Sequence, residues 1–297
     1  MRYYQRMEMS MTNNNHTLVV EGGAMRGIFA AGVLDEFLEQ GYQPFNRYFG
    51  VSAGATNVAA YLCKQPTRNY KVITDYSCRP EFINLARFIK GGHLFDLDWL
   101  WQETVREIPL NTDEFSQSPY DFYIVATAID SGKAHYLQAT GNEMVEQLKA
   151  SCAIPIAYRD YPAINGIAMT DGGVADSIPV KKAYEMGASE ITVILSQPLG
   201  YRKKDNKVPW LTKQLYKQSP ALAEAAIQRS KNYNDSIDFL HNAPSDCKIN
   251  IIAPPTGFKV GRTTKNRAIL NSGYQMDISE AKSYLDNPRF GSNGYER

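Results

Sequence analysis

The 297-residue sequence contains no long apolar segment. No stretch approaches the roughly 18 apolar residues of a transmembrane helix, so the sequence predicts none. The first sixteen residues are polar and lack the apolar core of a signal peptide, which predicts a flexible N-terminal tail over residues 1–16. We therefore expect a cytoplasmic protein whose contact with a membrane, if it makes any, is peripheral.

The sequence is also poor in cysteine and histidine, with four of each. The cysteines Cys63, Cys78, Cys152 and Cys247 lie far apart, with no C-x-x-C motif and no histidine at a spacing typical of zinc ligands. This distribution predicts reduced thiols rather than a disulfide framework or a zinc site. We expect neither a metal site nor a cofactor.

The net charge is close to zero, +1 at pH 7, so the overall balance favours no class of partner and we expect no nucleic acid. The distribution is uneven, because residues 198–297 carry 16 Lys and Arg against 9 Asp and Glu, whereas the rest carries 16 against 22. A basic final third is typical either of a solvated surface or of one that meets an anionic membrane.

The order of apolar and glycine-containing segments predicts the fold class. Over residues 17–64 the sequence alternates strand, glycine turn, helix, strand, sharp turn and helix, which predicts a parallel sheet covered by helices. Residues 191–195 form an apolar run typical of a buried parallel strand. We therefore predict one α/β domain over residues 17–197, with a mainly helical C-terminal extension over residues 198–297 packed on it.

The segment Gly50-Val51-Ser52-Ala53-Gly54 is a G-x-S-x-G motif between a predicted strand and a predicted helix. A serine on such a sharp turn has its hydroxyl raised clear of the sheet, and the following backbone N–H groups point towards the atom it attacks. The flanking Gly50 and Gly54 fit a turn too tight for a Cβ atom. Ser52 is therefore the predicted nucleophile.

A serine nucleophile needs a base, and two residues are candidates. Of the four histidines, only His241 follows Ser52 in the order that α/β-hydrolases use, although its place at the end of a polar helix also suits a purely structural role. The other candidate is Asp171, which precedes Gly172 and Gly173 in a tight turn after a predicted strand, where a carboxylate is presented at the end of a sheet. The residues alone leave both open.

A glycine-rich segment between the first predicted strand and helix is the third element. It fits neither a P-loop, which needs Lys and then Ser or Thr after its second glycine, nor the G-x-G-x-x-G pattern of a dinucleotide site. Its backbone N–H groups at the start of a helix suit an oxyanion hole instead. The predicted oxyanion-hole residues are Gly22, Gly23, Ala24, Met25, Arg26 and Gly27. The Arg26 side chain either orients a substrate phosphate or carboxylate, or pairs with a nearby acid.

The glycine-rich loop, the G-x-S-x-G motif and the Asp-Gly-Gly turn resemble, in this order, the motifs of the patatin-like phospholipase family. The segment Ser151-Cys152-Ala153-Ile154-Pro155 is also similar to that family, and the resemblance covers residues 17–197. It implies a three-layer α/β/α fold with a central, mostly parallel sheet. Ala24 departs from the family pattern, which often has a third glycine there, by adding a methyl group while keeping the N–H group.

The resemblance implies a serine acyl hydrolase of lipid esters, similar to a phospholipase A or a lysophospholipase. In the family, a serine and an aspartate work as a dyad without histidine, so Ser52 is expected to attack the ester carbonyl and Asp171 to accept its proton. The backbone N–H groups of Gly22, Gly23 and Ala24 are expected to hold the oxyanion. A lipid or lysophospholipid is the implied substrate.

Two other functions are compatible with the residues. One is an ordinary α/β-hydrolase esterase with a Ser-His-Asp triad and His241 as base, although that fold has more strands before its nucleophile than are predicted before Ser52. The other is a non-catalytic protein that binds lipid surfaces through its basic final third.

Overall fold

The computed structural model describes residues 15–286, which contain a sheet of eight strands. The strands are β1 His16–Val20, β2 Arg47–Val51, β3 Asp121–Ala128, β4 Ala134–Gln138, β5 Ala163–Ile164, β6 Ile167–Asp171, β7 Glu190–Ile194 and β8 Lys248–Ile252. Hydrogen-bonded neighbours follow the path β5-β6-β3-β2-β1-β7-β8, and β4 also pairs with β3. The β8-β7-β1-β2-β3 series is parallel, whereas β4 and β6 are antiparallel to β3, which confirms the expected mostly parallel sheet.

The helices lie mainly between successive strands. They are α1 Ile28–Glu39, α2 Ala53–Leu62, α3 Arg68–Lys71, α4 Leu85–Ile89, α5 Leu97–Glu107, α6 Thr112–Ser116, α7 Met144–Cys152, α8 Val180–Glu185, α9 Pro209–Leu215, α10 Pro220–His241 and α11 Arg267–Asp286. A short 3₁₀ turn, Ala24–Gly27, lies within the glycine-rich loop, and another, Gly172–Val174, follows Asp171. A π-helical turn, Val72–Tyr76, follows α3.

The central strands are buried between two helical layers. Because successive side chains of a strand point to opposite faces, β1 packs on both layers. Leu18 and Val20 join the apolar cluster that contains Phe29 of α1, whereas Val19 joins the cluster that contains Ile237 of α10. Burial on both faces explains why these strands are continuous apolar runs rather than alternating ones. The three-layer α/β/α fold that the sequence predicts is confirmed.

The region after residue 197 belongs to the same structural body. Its helices are α9, α10 and α11, and β8 adds a parallel strand to the sheet next to β7. Helix α11 packs closely on α1. The absence of a side chain at Gly32 permits this approach, since a Cβ atom there would lie 2.7 Å from the Cβ of Asp277. The hydroxyl of Tyr274 also donates a hydrogen bond of 2.7 Å to Asp35 Oδ2 on α1.

Strand β1 begins at His16, so the expectation that this residue belongs to a flexible tail is wrong. His16 is buried, and its Nε2 lies 2.9 Å from the hydroxyl of Thr192 on β7. Burial lowers the pKa of His16 to about 4, Glu190 acts against this shift, and Lys248 adds to it. Strand pairing with β7 holds the residue in place. Residues 1–14 of the predicted tail lie outside the described residues.

No helix within residues 15–286 is both long enough and apolar enough to cross a bilayer. All four cysteines carry free thiols, of which Cys63 and Cys247 are buried.

We expect His16 to make stability depend on pH. Its pKa is about 4 in the folded chain against an ordinary value of 6.5, so the unfolded chain holds the proton more strongly between these two values. Stability should therefore be full above pH 6.5 and decline as the pH falls through this window. The contribution of His16 to this decline is about 2–3 kcal/mol in the free energy of unfolding.

The measurement is urea denaturation of the wild type and of His16→Gln at several pH values. Burial raises the pKa of Asp35 to about 6, which favours folding at low pH and therefore opposes the His16 effect. Asp35 is present in both proteins, so its contribution cancels in the difference. Equal pH dependence in the two proteins would contradict this assignment.

Candidate active site

Ser52 lies on the turn between β2 and α2, with a φ of 53° and a ψ of −126°. A positive φ is unfavourable for a residue with a Cβ atom, and such strain is typical of positions held for function. Both flanking glycines are needed, because a Cβ on Gly50 would lie 2.4 Å from Ala55 Cα and one on Gly54 would lie 2.4 Å from the carbonyl oxygen of Val20. This geometry is the one expected of a nucleophile elbow.

A buried serine anchors this turn to the sheet. The backbone N–H of Ser52 donates a hydrogen bond of 2.8 Å to Ser151 Oγ, and the Ser151 hydroxyl donates one of 2.5 Å to the carbonyl oxygen of Val125. Ser151 is fully buried at the end of α7. Its hydroxyl therefore bridges β2 and β3 at the point where the two strands separate. We refer to these three groups as the Ser151 bridge.

Asp171 lies near Ser52 because β2 and β6 pair with successive parts of the same edge of β3. In the strand register, Val51 pairs with Val125, and Asp171 pairs with the next residue, Ala126. Strand β4 occupies the other edge of β3, so β2 and β6 share one edge and meet end to end. Gly172 makes this meeting possible, since a Cβ atom there would lie 2.1 Å from the carbonyl oxygen of Val125.

The Asp171 turn is held by several hydrogen bonds. Its Oδ1 accepts one of 2.8 Å from the N–H of Gly173, and its own N–H donates one of 2.9 Å to the carbonyl of Ala153. The Thr127 hydroxyl donates one of 2.9 Å to the carbonyl of Asp171. Asp171 is only 6% exposed, and it lines the same cavity as Ser52. The structure thus brings together the two residues that the sequence proposed as nucleophile and base.

Cys152 lies next to both of these residues. Burial raises the pKa of its thiol well above the ordinary range, the nearby Asp171 carboxylate adds to that shift, and a hydrogen bond with Ser52 acts against it. The thiol therefore stays protonated beside the Ser52 hydroxyl. The sequence pattern included Ser151 and Cys152 without giving either of them a role.

The glycine-rich loop lies directly against the elbow. A Cβ on Gly22 would lie 2.7 Å from the carbonyl oxygen of Val51 and 3.0 Å from Ser52 Cβ. Within residues 15–286, the N–H groups of Gly22, Gly23 and Ala24 make no hydrogen bond to another protein group. These three donors beside Ser52 are available to an oxyanion.

The other three residues of the predicted oxyanion hole shape the loop. The N–H of Met25 donates to the carbonyl of Arg262 at 3.4 Å, and that of Arg26 donates to the carbonyl of Gly23 at 3.2 Å. Gly27 packs against α2, where a Cβ atom would lie 2.8 Å from that of Ala53. We therefore narrow the proposed donors to the first three residues of the loop.

Ala24 adopts a φ of 51°, in the left-handed region. Only glycine occupies this region without strain, which explains physically why a third glycine suits the position. Ala24 lines both cavities that contain Ser52, so its methyl group lies at their junction.

The Arg26 side chain is buried and does not line either cavity. Its Nη2 donates a hydrogen bond of 3.1 Å to Ser196 Oγ. Burial lowers the pKa of Arg26, and the charge of Glu21 opposes this shift. The carboxylate of Glu21 in turn accepts a hydrogen bond of 2.7 Å from the N–H of Ser196. This arrangement favours the second of the two predicted roles, pairing with a nearby acid.

No histidine of residues 15–286 lines a cavity with Ser52. His241 is exposed at the end of α10, beside a separate small pocket that includes Leu195 and Ile251. His135 lies in β4. The Nδ1 of His93 accepts a hydrogen bond of 3.0 Å from the N–H of Arg159. A triad with His241 therefore has no support in this geometry.

One group of side chains outside this site has metal-ligand chemistry. Ligand atoms of His93, Asp98 and Asp160 lie within 4.8 Å of one another. However, Asp98 already pairs with Lys149 Nζ at 2.5 Å and accepts a hydrogen bond of 2.9 Å from the Tyr158 hydroxyl. The group is therefore an ion-paired surface cluster, and we assign it no metal.

Two cavities meet at Ser52. The first is an apolar cleft with an empty volume of about 830 Å³. It is lined by Ala24, Met25, Ser52, Ala53, Thr56, Arg68, Asn69, Val72, Ile73, Ser77, Phe82, Ile83, Phe95, Leu97, Leu100, Trp101, Thr104, Cys152, Ile154 and Arg262. We call it the apolar cleft.

The second cavity is polar, with an empty volume of about 500 Å³. Its lining includes Ser52, Asp171 and the three basic residues Lys203, Arg229 and Arg262. We call it the polar cavity. Sequence reasoning missed these three residues, and the excess of basic residues after residue 197 was the available signal.

Comparison with known proteins gives two matches to family models. A model described as patatin-like phospholipase matches residues 18–184, and a domain of unknown function, DUF6363, matches residues 219–288. The uncharacterized protein YjjU of Escherichia coli strain K12 is 37% identical over 250 residues, which cover 80% of this chain and 68% of that protein.

A solved structure, that of VipD from Legionella pneumophila, is similar over 92% of this chain and 67% of that chain. The identity is 11% and the TM-score is 0.43. At that TM-score the likeness supports no further argument.

Replacing Ser151 with Ala should disturb both stability and the nucleophile. The substitution leaves the Ser52 N–H and the Val125 carbonyl buried without partners, which should lower the free energy of unfolding by about 2–4 kcal/mol. The elbow also loses its anchor, so a serine-directed fluorophosphonate should label Ser52 more slowly. Urea denaturation and labelling rates measure the two effects.

Ser279→Ala is the matched control, because this exposed serine only donates to the carbonyl of Gln275 within α11. It should leave both quantities unchanged. If Ser151→Ala behaves like this control, the Ser151 bridge does not hold the elbow.

Substitutions at Ala24 should separate backbone strain from cavity width. The left-handed conformation costs an L-residue about 1–2 kcal/mol, and glycine costs about 0.5–1 kcal/mol in chain entropy, so Ala24→Gly should raise the free energy of unfolding by up to about 1 kcal/mol. Ala24→Val should lower both stability and labelling of Ser52, because a β-branched side chain is poorly accommodated at positive φ. Equal free energies of unfolding in Ala24→Gly and Ala24→Val would argue against backbone strain at residue 24.

Proposed function

Because the chain belongs to the patatin-like phospholipase family, we propose that it is a lipid acyl hydrolase in which Ser52 and Asp171 form the catalytic dyad. The observation that carries the proposal is the position of Ser52. Its side chain lies where the apolar cleft meets the polar cavity, and Asp171 lines the polar side. A lipid ester has the same division, with its carbonyl between an apolar chain and a polar alcohol.

In the first half of the proposed reaction, Asp171 accepts the proton of the Ser52 hydroxyl as the oxygen attacks the ester carbonyl. The tetrahedral intermediate then collapses, the C–O bond to the alcohol breaks, and Asp171 returns the proton to the leaving oxygen. The acyl group remains as an ester of Ser52. In the second half, Asp171 takes a proton from water, which attacks this ester, and the acid leaves as Ser52 recovers its proton.

The N–H groups of Gly22, Gly23 and Ala24 are the proposed donors to the oxyanion of both intermediates. Each such donor is typically worth about 10²–10³ in kcat. Glycine is needed at Gly22 and Gly23 for close approach, because Cβ atoms there would meet Ser52 and Ser196 at 3.0 Å or less. All three proposed donors are backbone N–H groups, so the proposed oxyanion hole requires no side chain.

The two cavities suggest how the substrate lies. Side chains such as Phe95, Leu100 and Trp101 line the apolar cleft and suit an acyl chain. The alcohol part then faces the polar cavity. This division suits a phospholipid or lysophospholipid, and therefore a phospholipase A or lysophospholipase activity.

Peripheral contact with a membrane is part of the proposal. Leu85 and Ile89 on α4 are 63% and 76% exposed. The helix directly follows Phe82 and Ile83, which line the apolar cleft. Exposed apolar side chains beside the cleft suit shallow insertion into a lipid surface, from which the substrate enters.

The proposal is tested with a fluorophosphonate probe and a lysophospholipid hydrolysis assay. Wild type should be labelled and active, whereas Ser52→Ala should be neither. Asp171→Asn should retain the fold but lose about 10²–10⁴ in kcat, because general base catalysis is lost.

His241→Ala is the control that distinguishes a dyad from a triad, and it should retain labelling and turnover. Equal labelling of wild type and Ser52→Ala would show that Ser52 is not the nucleophile. Loss of activity in His241→Ala with full activity in Asp171→Asn would show that His241, and not Asp171, is the base. Lipid binding without turnover or labelling in the wild type would favour a non-catalytic lipid-surface protein.

A further inference from the structure

We propose that Lys203, Arg229 and Arg262 form a subsite that binds the phosphate group of a glycerophospholipid or lysophospholipid substrate, an inference that rests on the proposed lipid hydrolase function. All three line the polar cavity together with Ser52 and Asp171. We call these three side chains the basic subsite.

The basic subsite is built from parts of the chain that follow the patatin-like segment. The match to that family model ends at residue 184. Lys203 lies in the loop before α9, Arg229 lies on α10, and Arg262 lies in the loop before α11. Three separate segments of the C-terminal third therefore converge on one cavity. The region that the sequence left without a role supplies part of the substrate site.

The charges in the polar cavity are not balanced. Its acidic side chains within the described chain are Glu21 and Asp171, against the three cations. None of the three cations forms an ion pair within 4.0 Å with a carboxylate of residues 15–286. Lys203 and Arg229 are partly buried, and such cations are costly without a paired acid, so a bound anion would relieve that cost.

Lys203 shows the excess of positive charge most clearly. Its Nζ donates a hydrogen bond of 3.1 Å to Ser177 Oγ and lies 3.9 Å from the centre of the Tyr233 ring. Burial lowers the pKa of Lys203 to about 7, the neighbouring arginines add to this shift, and Glu21 opposes it. An anion next to Nζ would stabilise the charged form.

The two arginines have different roles in this subsite. The Nε of Arg229 donates a hydrogen bond of 2.6 Å to the carbonyl of Gly173, so Arg229 also supports the Asp171 turn. Arg262 is exposed and lines both the apolar cleft and the polar cavity. Its carbonyl accepts the N–H of Met25, which ties its loop to the oxyanion loop. Lys203 and Arg262 are therefore the informative residues to replace, since Arg229 affects the dyad as well.

The arrangement matches a single substrate molecule. With an ester carbonyl at Ser52, the acyl chain lies in the apolar cleft and the group on the alcohol side meets the basic subsite. A phosphate there gains charge-assisted hydrogen bonds that a neutral glyceride cannot make. The subsite should therefore favour phosphate-bearing esters over neutral esters with the same acyl chain.

The experiment compares kcat/KM for lysophosphatidylglycerol and for a monoacylglycerol with the same acyl chain. Lys203→Gln and Arg262→Gln should each lower the ratio of the two values by about 10- to 100-fold, because each removes a charged hydrogen bond to phosphate. Lys204→Gln removes the same charge from an exposed neighbour that does not line the cavity, and it should keep the wild-type ratio. Thermal unfolding of each variant reports whether the fold is retained.

A second readout follows from Lys203. For the phosphate-bearing substrate, KM should rise as the pH increases through about 7, the pKa of this lysine. Lys203→Gln should abolish that rise. The charged or titratable groups that face Lys203 are Glu21, Arg26, Tyr233 and the two arginines of the subsite, and all remain in this variant. If Lys203 had only a structural role, its replacement would leave the pH profile of KM unchanged.

The outcomes separate this inference from the proposed function. If wild type hydrolyses both esters but the two variants keep its ratio, the basic subsite is wrong and the hydrolase stands. If wild type hydrolyses neither ester and the fluorophosphonate labels nothing, the proposed function fails. If inorganic phosphate inhibits monoacylglycerol hydrolysis through Lys203 and Arg262 while lysophosphatidylglycerol gains no preference, the site binds free phosphate and the head-group inference is overturned.

Discussion

The carbonyl group of Val125 is the point on which the site depends. It lies where β2 leaves the sheet, and Ser151 joins it to the N–H of Ser52 through hydrogen bonds of 2.5 and 2.8 Å. This bridge lets the chain turn sharply with a positive φ at Ser52 without leaving buried polar groups unpaired. The same carbonyl faces Gly172, where no side chain fits. One backbone oxygen of β3 thus contacts both the Ser52 turn, through Ser151, and the Asp171 turn, at Gly172.

The antiparallel strand β6 resolves a topological problem. In a purely parallel sheet, all strands would carry their carboxyl ends to one edge, and Ser52 and Asp171 could not approach each other end to end along one edge of β3. Because β6 runs antiparallel and continues the line of β2, Asp171 arrives from the opposite direction and pairs with Ala126. The C-terminal third then closes the polar side of the site through Arg229 and its neighbours. The cavity that contains Ser52 and Asp171 is therefore lined by residues from both the patatin-like segment and the C-terminal third.

The local motifs were predictable because the steric limits that shape each turn act between residues that are close in the sequence. The glycines around Ser52 indicated a tight elbow, and the structure gives the reason, because Cβ atoms on Gly50 and Gly54 would each lie 2.4 Å from an atom of Ala55 or Val20. The mostly parallel sheet followed from the alternation of apolar runs and glycine turns. His16 was misassigned because its polar neighbours resemble a tail, whereas pairing with β7 buries it. The sequence pattern could not reveal that the Arg26 side chain donates to Ser196 and does not line the cavity.

By itself, the sequence determined the residue types of the reaction: a serine on an elbow, an aspartate before two glycines, and a loop of free N–H groups. These signals are local, because turn geometry and steric limits act within a few residues. Only the tertiary structure decided that Asp171 and not His241 lines a cavity with Ser52, which amides stay unpaired, and which distant cations line the same cavity. Those choices depend on strand register and on which distant segments line one cavity, such as Ser52 and Arg262, which lie about 210 residues apart along the chain, and no local pattern contains that information.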